Sequence, residues 1–184
     1  MQSEKINAID STGVSVGSNP GVAEIIGATG IYEVSCVGAD GQVKWSEIFR
    51  NLVTTAGKND LLDKYLAGST YTAAWYLGLV DGASTPTYAA GDTSSSHAGW
   101  SESVAYSNST RPAVSWNTAS SGSKASTATS FNINGTATIA GAFLITNSTK
   151  SGTTGVLYSA GSFTGGNRSV ASGDTLNITY TASV

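Results

Sequence analysis

Short runs of apolar and strand-forming residues, separated by Gly-, Ser- and Asn-rich turns, are the main pattern along this chain. Such runs predict β-strands. The first two lie at residues 31–37 and 43–49, and the intervening Gly38-Ala39-Asp40-Gly41 is typical of a hairpin turn. Residues of one parity share one face of a strand, which groups Tyr32, Val34 and Cys36. Cys36 is therefore expected to be a small core residue and not a nucleophile.

Further strands are predicted towards the C-terminus. A nearly continuous apolar run at 72–80 is too short to cross a membrane and is typical of a buried strand. After a long loop at 81–96, strands are predicted at 113–117, 127–133, 136–146, 156–163 and 175–182. Short strands at this spacing favour a mainly β fold, an antiparallel β-sandwich or a jelly-roll-like barrel.

One helix is predicted near residues 55–67. Thr54 or Thr55 can cap its start, and Gly68 suits its end. The apolar side of this amphipathic helix is formed by Leu61, Leu62, Tyr65 and Leu66. The other side, with Lys58, Asp60, Asp63 and Lys64, is expected to face solvent. We expect the apolar side to lie across an open face or end of a sheet.

Residues 1–29 contain no aromatic side chain and show no sustained period. They predict an extended N-terminal arm, unordered in the isolated chain or ordered against a neighbouring subunit. The β-rich domain then covers residues 30–184. Apolar side chains that could anchor the arm at an interface with a neighbouring subunit are Ile6, Ile9, Val14, Val16, Ile25 and Ile26.

Composition narrows the classes of partner. Only 11% of the residues are charged and the net charge is −3, so nothing favours nucleic-acid binding. Neither a signal peptide nor an apolar stretch of the ~20 residues needed to cross a membrane is seen, and cytosolic synthesis is expected. The single cysteine excludes an intramolecular disulfide and a thiolate metal cage.

Candidate chemistry is sparse. His97 is the sole histidine, and we expect it to pack or hydrogen-bond beside Trp100 at the end of the long loop. Ser96 and Asp92 could supply the other members of a Ser-His-Asp catalytic triad, but residues this close in sequence rarely meet in triad geometry. Asp92 and Glu102 could serve a glycosidase, but two acids this close are common by chance. We therefore expect no catalytic residue, no metal site and no cofactor.

The four tryptophans divide into two groups. Core packing is expected for three of them. Trp100 follows the long loop and lies between Gly99 and Ser101, so it is the best candidate for an exposed anchor. Such an anchor could bind a protein partner or a sugar.

Three stretches together carry a resemblance to a known family: NLVTTAGKNDLLDKYLAGSTYTAAWYLGLVDG (51–82), YAAGDTSSSHAGWSE (88–102) and TIAGAFLITNSTKSGTTGVLYSAGSFTGG (138–166). With the closing GDTLNITYTAS, they resemble small virion structural proteins of tailed bacteriophages. The resemblance implies a head decoration or cement protein that binds the major capsid protein at the head surface. It brings no catalytic residues with it. Because many-copy binding gains from symmetric association, we also expect a homodimer or homotrimer.

Two other functions stay open at this point. One is a tail or receptor-binding component with a glycan-binding β domain, although the repeats or heptads expected of a tail fibre are not seen. The other is a carbohydrate-active enzyme. A glycan is thus left open as a partner.

Overall fold

The structure is a computed structural model and describes residues 27–66, 70 and 74–184. The predicted arm falls almost entirely on residues 1–26. Its six candidate interface residues, from Ile6 to Ile26, therefore lie outside the described residues and stay predictions.

The predicted hairpin is confirmed. Strand β1 (Thr29–Val37) pairs antiparallel with β2 (Val43–Arg50). Gly41 occupies the turn with φ +80°, a conformation that favours glycine, and the amide of Gln42 donates to the Asp40 carboxylate over 3.0 Å. Cys36 is fully buried, as expected.

Most of the other predicted strands are also present. The remaining elements are β3 (Leu52–Val53), α1 (Thr55–Tyr65), β4 (Tyr76–Asp81), β5 (Glu102–Ser103), β6 (Ser123–Ala125), β7 (Thr129–Asn132), β8 (Ala137–Ile145), β9 (Leu157–Ser162), β10 (Arg168–Val170) and β11 (Thr175–Ser183). The strand predicted at 113–117 is wrong. Ala113 bridges Tyr76 of one sheet, whereas Trp116 bridges Ser126 beside the other, so this segment crosses between the sheets and follows neither.

The fold is an antiparallel β-sandwich. One sheet has the order β2-β1-β11, with β6 and β7 both pairing along β11. The other has the order β3-β9-β8-β4-β5, with β10 on β8. Their facing sides share one core, to which Tyr32, Phe131 and Tyr180 contribute from the first sheet and Leu77 and Leu144 from the second.

The second sheet is covered on its outer side as well. A separate cluster there includes Val80, Phe143, Ile145 and Leu157, packed with Trp100 from the end of the long loop. Seven consecutive residues of β8 are consequently buried. The loop that precedes β5 thus forms a third layer, and it is this layer that builds the site described below.

Helix α1 packs against the sandwich by an unexpected side. Its N-cap Thr54 accepts a hydrogen bond from the Gly57 amide over 3.0 Å, and the Thr54 amide donates to the Tyr158 carbonyl over 2.9 Å. These contacts fix the first turn on β9, and Gly57 is buried there. Asp60 and Lys64 lie three and seven residues after Gly57, so they share its inward side.

The apolar side of α1 is therefore turned to solvent. Leu61 and Leu62 are 40% and 53% exposed, and Tyr65 and Leu66 are 86% and 73% exposed. The expectation that this side packs on a sheet is wrong. The reason is that the cap and the small Gly57 decide which side approaches β9, and they outweigh the helix's own pattern. Across the described residues, every helix falls short of the length and apolarity that a membrane span requires.

Candidate functional site

Trp100 is buried, only 7% exposed, and so the expectation of an exposed anchor is wrong. Its ring packs 5.1 Å from that of Phe143 on β8, measured between centroids. Its Nε1 donates to the Asp92 carboxylate over 3.0 Å. The flanking Gly99 and Ser101 indicated a loop, but the loop folds back onto the sheet and buries the ring. The other three tryptophans are half-buried against the main core, in line with the packing role expected for three of the four.

His97 has the structural contacts that were predicted for it. Its ring stacks on Trp100 with centroids 4.1 Å apart, and Nδ1 lies 3.0 Å from the Trp100 carbonyl oxygen. Because a carbonyl oxygen only accepts, Nδ1 is assigned the proton. On the neutral ring, Nε2 is then an acceptor.

The two candidate acids are both held in place by other groups. Asp92 accepts from Trp100 and from the Ala89 amide. Glu102 accepts from Nε and Nη2 of Arg111 over 2.9 and 2.8 Å, and from the Ser151 amide over 2.6 Å. Each carboxylate thus serves to fix loop structure.

Arg111 was not singled out from the sequence. Its side chain is 3% exposed and that of Glu102 is 5% exposed, so the two form a buried, bidentate ion pair. Arg111 also donates to the Asn147 carbonyl over 3.0 Å and lies over the Phe143 ring. An isolated Arg in a segment poor in charge was the one available signal, since only Glu102 is near it in sequence and its carbonyl partners at Asn147 and Gly152 are distant.

These groups surround a cavity of about 300 Å³ on the outer side of the second sheet. Its floor is apolar, from Phe143, Ile145 and Leu157. His97 and Trp100 line it as well, together with the Glu102–Arg111 pair. Hydroxyl groups come from Ser94, Ser101, Ser151 and Thr153, and Gly152 completes the lining. We call this the Trp100 cavity.

Cys36 lies far from this chemistry, in the core. Burial raises the pKa of its thiol to about 11, and the nearby Asp174 carboxylate acts in the same direction. The thiol is therefore protonated at neutral pH and is not activated as a nucleophile. Among the described residues, no group of three or more His, Cys, Asp or Glu side chains is placed to hold a metal ion.

A second candidate surface lies on α1. Leu61, Leu62, Tyr65 and Leu66, the α1 apolar surface, are four of the eight exposed large apolar side chains in the described part of the chain. A groove of about 200 Å³ beside them is lined by Gly27, Ala28, Lys58, Leu61, Leu62 and Val184. Gly27, the first of the described residues, is thus part of this groove.

No protein-family model matches the sequence, and no curated protein matches it.

Proposed function

We propose that this chain is a structural subunit of a tailed-bacteriophage particle, a head decoration or cement protein that binds the major capsid protein. The observation that carries the proposal is the α1 apolar surface. Contiguous apolar surface of this kind marks sites of protein interaction. It also falls within residues 51–82, one of the stretches on which the resemblance to virion proteins rests.

The α1 apolar surface is chemically suited to a protein partner. Fully burying one Leu or Phe-sized side chain contributes roughly 1.5–3 kcal/mol, and Tyr65 and Leu66 are largely free to be covered. Residues 1–26 precede Gly27 of the groove beside this surface, so the helix and the arm can contact one capsid subunit together. Such paired contacts raise avidity without requiring either to be tight.

The proposal includes a non-enzymatic role. In support, His97 is committed to Trp100, and Asp92 and Glu102 are committed to loop hydrogen bonds and the ion pair. Weak charge on the surface and a sandwich closed by an extra loop layer are compatible with a protein that is displayed in many copies. The subunit is made in the host cytoplasm, reaches the head surface, and associates as a dimer or trimer.

A capsid-binding assay tests the proposal. The double variant Tyr65→Ser, Leu66→Ser removes the most exposed part of the α1 apolar surface and should abolish co-sedimentation with capsids that lack the protein. Ile48→Ser removes an apolar side chain of similar exposure, 64%, from β2 and is the matched control. Full binding by the double variant would refute α1 as the contact.

Deleting residues 1–26 leaves β1 complete and tests the arm separately. Weakened capsid binding is expected, whereas unchanged affinity would remove the arm from the interface. The copy number in purified particles provides a third measurement. A number close to that of the capsid subunits supports decoration, and one that matches tail positions contradicts it.

A further inference from the structure

We propose that the Trp100 cavity is a binding site for one neutral sugar residue. This inference does not rest on the proposed function, because the cavity lies on the outer side of the second sheet and its lining includes none of the α1 residues. It is argued from the size of the cavity, from its pattern of apolar and polar groups, and from its charge.

Size limits the ligand. At about 300 Å³, the cavity is at the lower end of the range of small-molecule sites. It is suited to one ring and leaves no room for an extended chain to be enclosed. Longer glycans would place one residue inside and the rest in solvent.

The lining is apolar on one side and hydroxyl-rich around it. Phe143, Ile145 and Leu157 form a carbon floor in which each residue is no more than 2% exposed, so only the part of a pyranose C–H face that enters the cavity can pack against it. Ser101, Ser151 and Thr153 can each donate and accept hydrogen bonds, as sugar hydroxyls do. This division matches a pyranose, which has apolar faces and a polar edge.

Charge selects a neutral ligand. The charged groups of the lining are Glu102 and Arg111, which neutralise each other through a bidentate pair. An anion would have to compete with Glu102 for the guanidinium, and a cation would have to compete with Arg111 for the carboxylate. The hydroxyl groups of a neutral sugar can bind without displacing Glu102 or Arg111 from their pair.

The site is built before a ligand arrives. Trp100 is held by Asp92 and by His97, and Arg111 fixes the opposite loop through the Asn147 carbonyl. Side chains ordered in this way lose little further freedom on binding, so the cost of ordering is small.

Titration with methyl glycosides of neutral hexoses, 6-deoxyhexoses and N-acetylhexosamines, followed by tryptophan fluorescence and saturation-transfer NMR, tests the proposal. Glucuronate and glucosamine provide charged comparators. At least one neutral sugar should bind saturably with a Kd of the order of millimolar, as expected of so small a ligand, and at least tenfold tighter than both comparators. If no neutral sugar binds saturably, or if a charged comparator binds as well, the proposal is wrong.

Thr153→Phe places a bulky ring at the cavity and should weaken sugar binding at least tenfold. Thr149→Phe is the matched control, because this exposed threonine is on the same turn and does not line the cavity. If Thr153→Phe fails to fold, Ser101→Tyr blocks the cavity from the other loop. Binding that survives a folded blocking variant places the sugar elsewhere and overturns the assignment. Capsid binding should be unchanged in these variants, so the two proposals can fail independently.

Discussion

Replacing Arg111 by Met tests how the loop layer is held on the second sheet. The substitution keeps much of the side-chain volume but leaves the Glu102 carboxylate buried with its main partner removed. Breaking a buried pair in this way costs about 3–5 kcal/mol, because the remaining charge is uncompensated. That is a large part of the roughly 5–15 kcal/mol of total stability that is usual for a domain. The variant is thus expected to unfold at a much lower urea concentration.

The double variant Glu102→Leu, Arg111→Met removes both partners. It thus separates the free energy lost by leaving the Glu102 carboxylate unpaired from the net contribution of the ion pair to stability. Apolar replacements of buried ion pairs are often neutral or stabilising. The Ser151 amide loses its acceptor, but Ser151 is exposed and water can replace the carboxylate. The buried Tyr106 hydroxyl also loses Glu102 as an acceptor, although that contact is long, at 3.4 Å. The double variant should therefore lie within about 2 kcal/mol of the wild type and be more stable than Arg111→Met alone.

Urea unfolding followed by tryptophan fluorescence measures these free energies. Arg50→Met is the control, because Arg50 is an exposed residue of β2, and it should change stability by no more than about 0.5 kcal/mol. Two outcomes would refute the reasoning. One is an Arg111→Met variant within about 1 kcal/mol of the wild type, and the other is a double variant as unstable as the sum of its singles.

Two further predictions concern Gly57 in α1 and Asp174, whose carboxylate accepts a hydrogen bond from Lys44 of β2. Gly57→Ala should destabilise the protein, because a Cβ at this position would lie 2.6 Å from the Tyr158 carbonyl oxygen. Overpacking of this kind costs about 1–3 kcal/mol, which outweighs the roughly 1 kcal/mol by which alanine favours a helix over glycine. In urea unfolding, Gly91→Ala is the control, since a Cβ there would meet no atom within 4 Å, and equal stability of the two variants would contradict the close approach at Gly57. Burial acts to raise the pKa of Asp174, but the hydrogen bonds from Lys44 and the Ala171 amide outweigh it and the pKa is lower than usual. A carboxylate with a lowered folded pKa contributes stability above its unfolded pKa of about 3.9 and loses it as pH falls through the folded value. Asp174→Asn should therefore be less stable than the wild type at pH 7, and the difference should shrink in acid; a pH-independent difference in denaturation midpoint would contradict this.

Local sequence patterns predict the strand-rich character, the first hairpin, most later strands and the burial of Cys36. These features depend on neighbouring residues: a period of two, a turn that tolerates positive φ at Gly41, and short apolar runs between turn formers. The contact of His97 with Trp100 was also within reach, since three residues separate them.

Which surfaces are covered depends instead on contacts between segments that are distant in the chain. Helix α1 has the apolar side that its sequence predicts, but Thr54 and Gly57 attach the opposite side to β9. The loop residues around Trp100 predict an exposed ring, but the ring is buried because that loop lies on the second sheet. Glu102 and Arg111 are nine residues apart, but the Asn147 carbonyl and the Ser151 amide that fix their pair come from the 146–156 turn, which is distant in the chain. Burial is a property of what packs against a residue, and that partner is set by the fold as a whole and not by the local pattern.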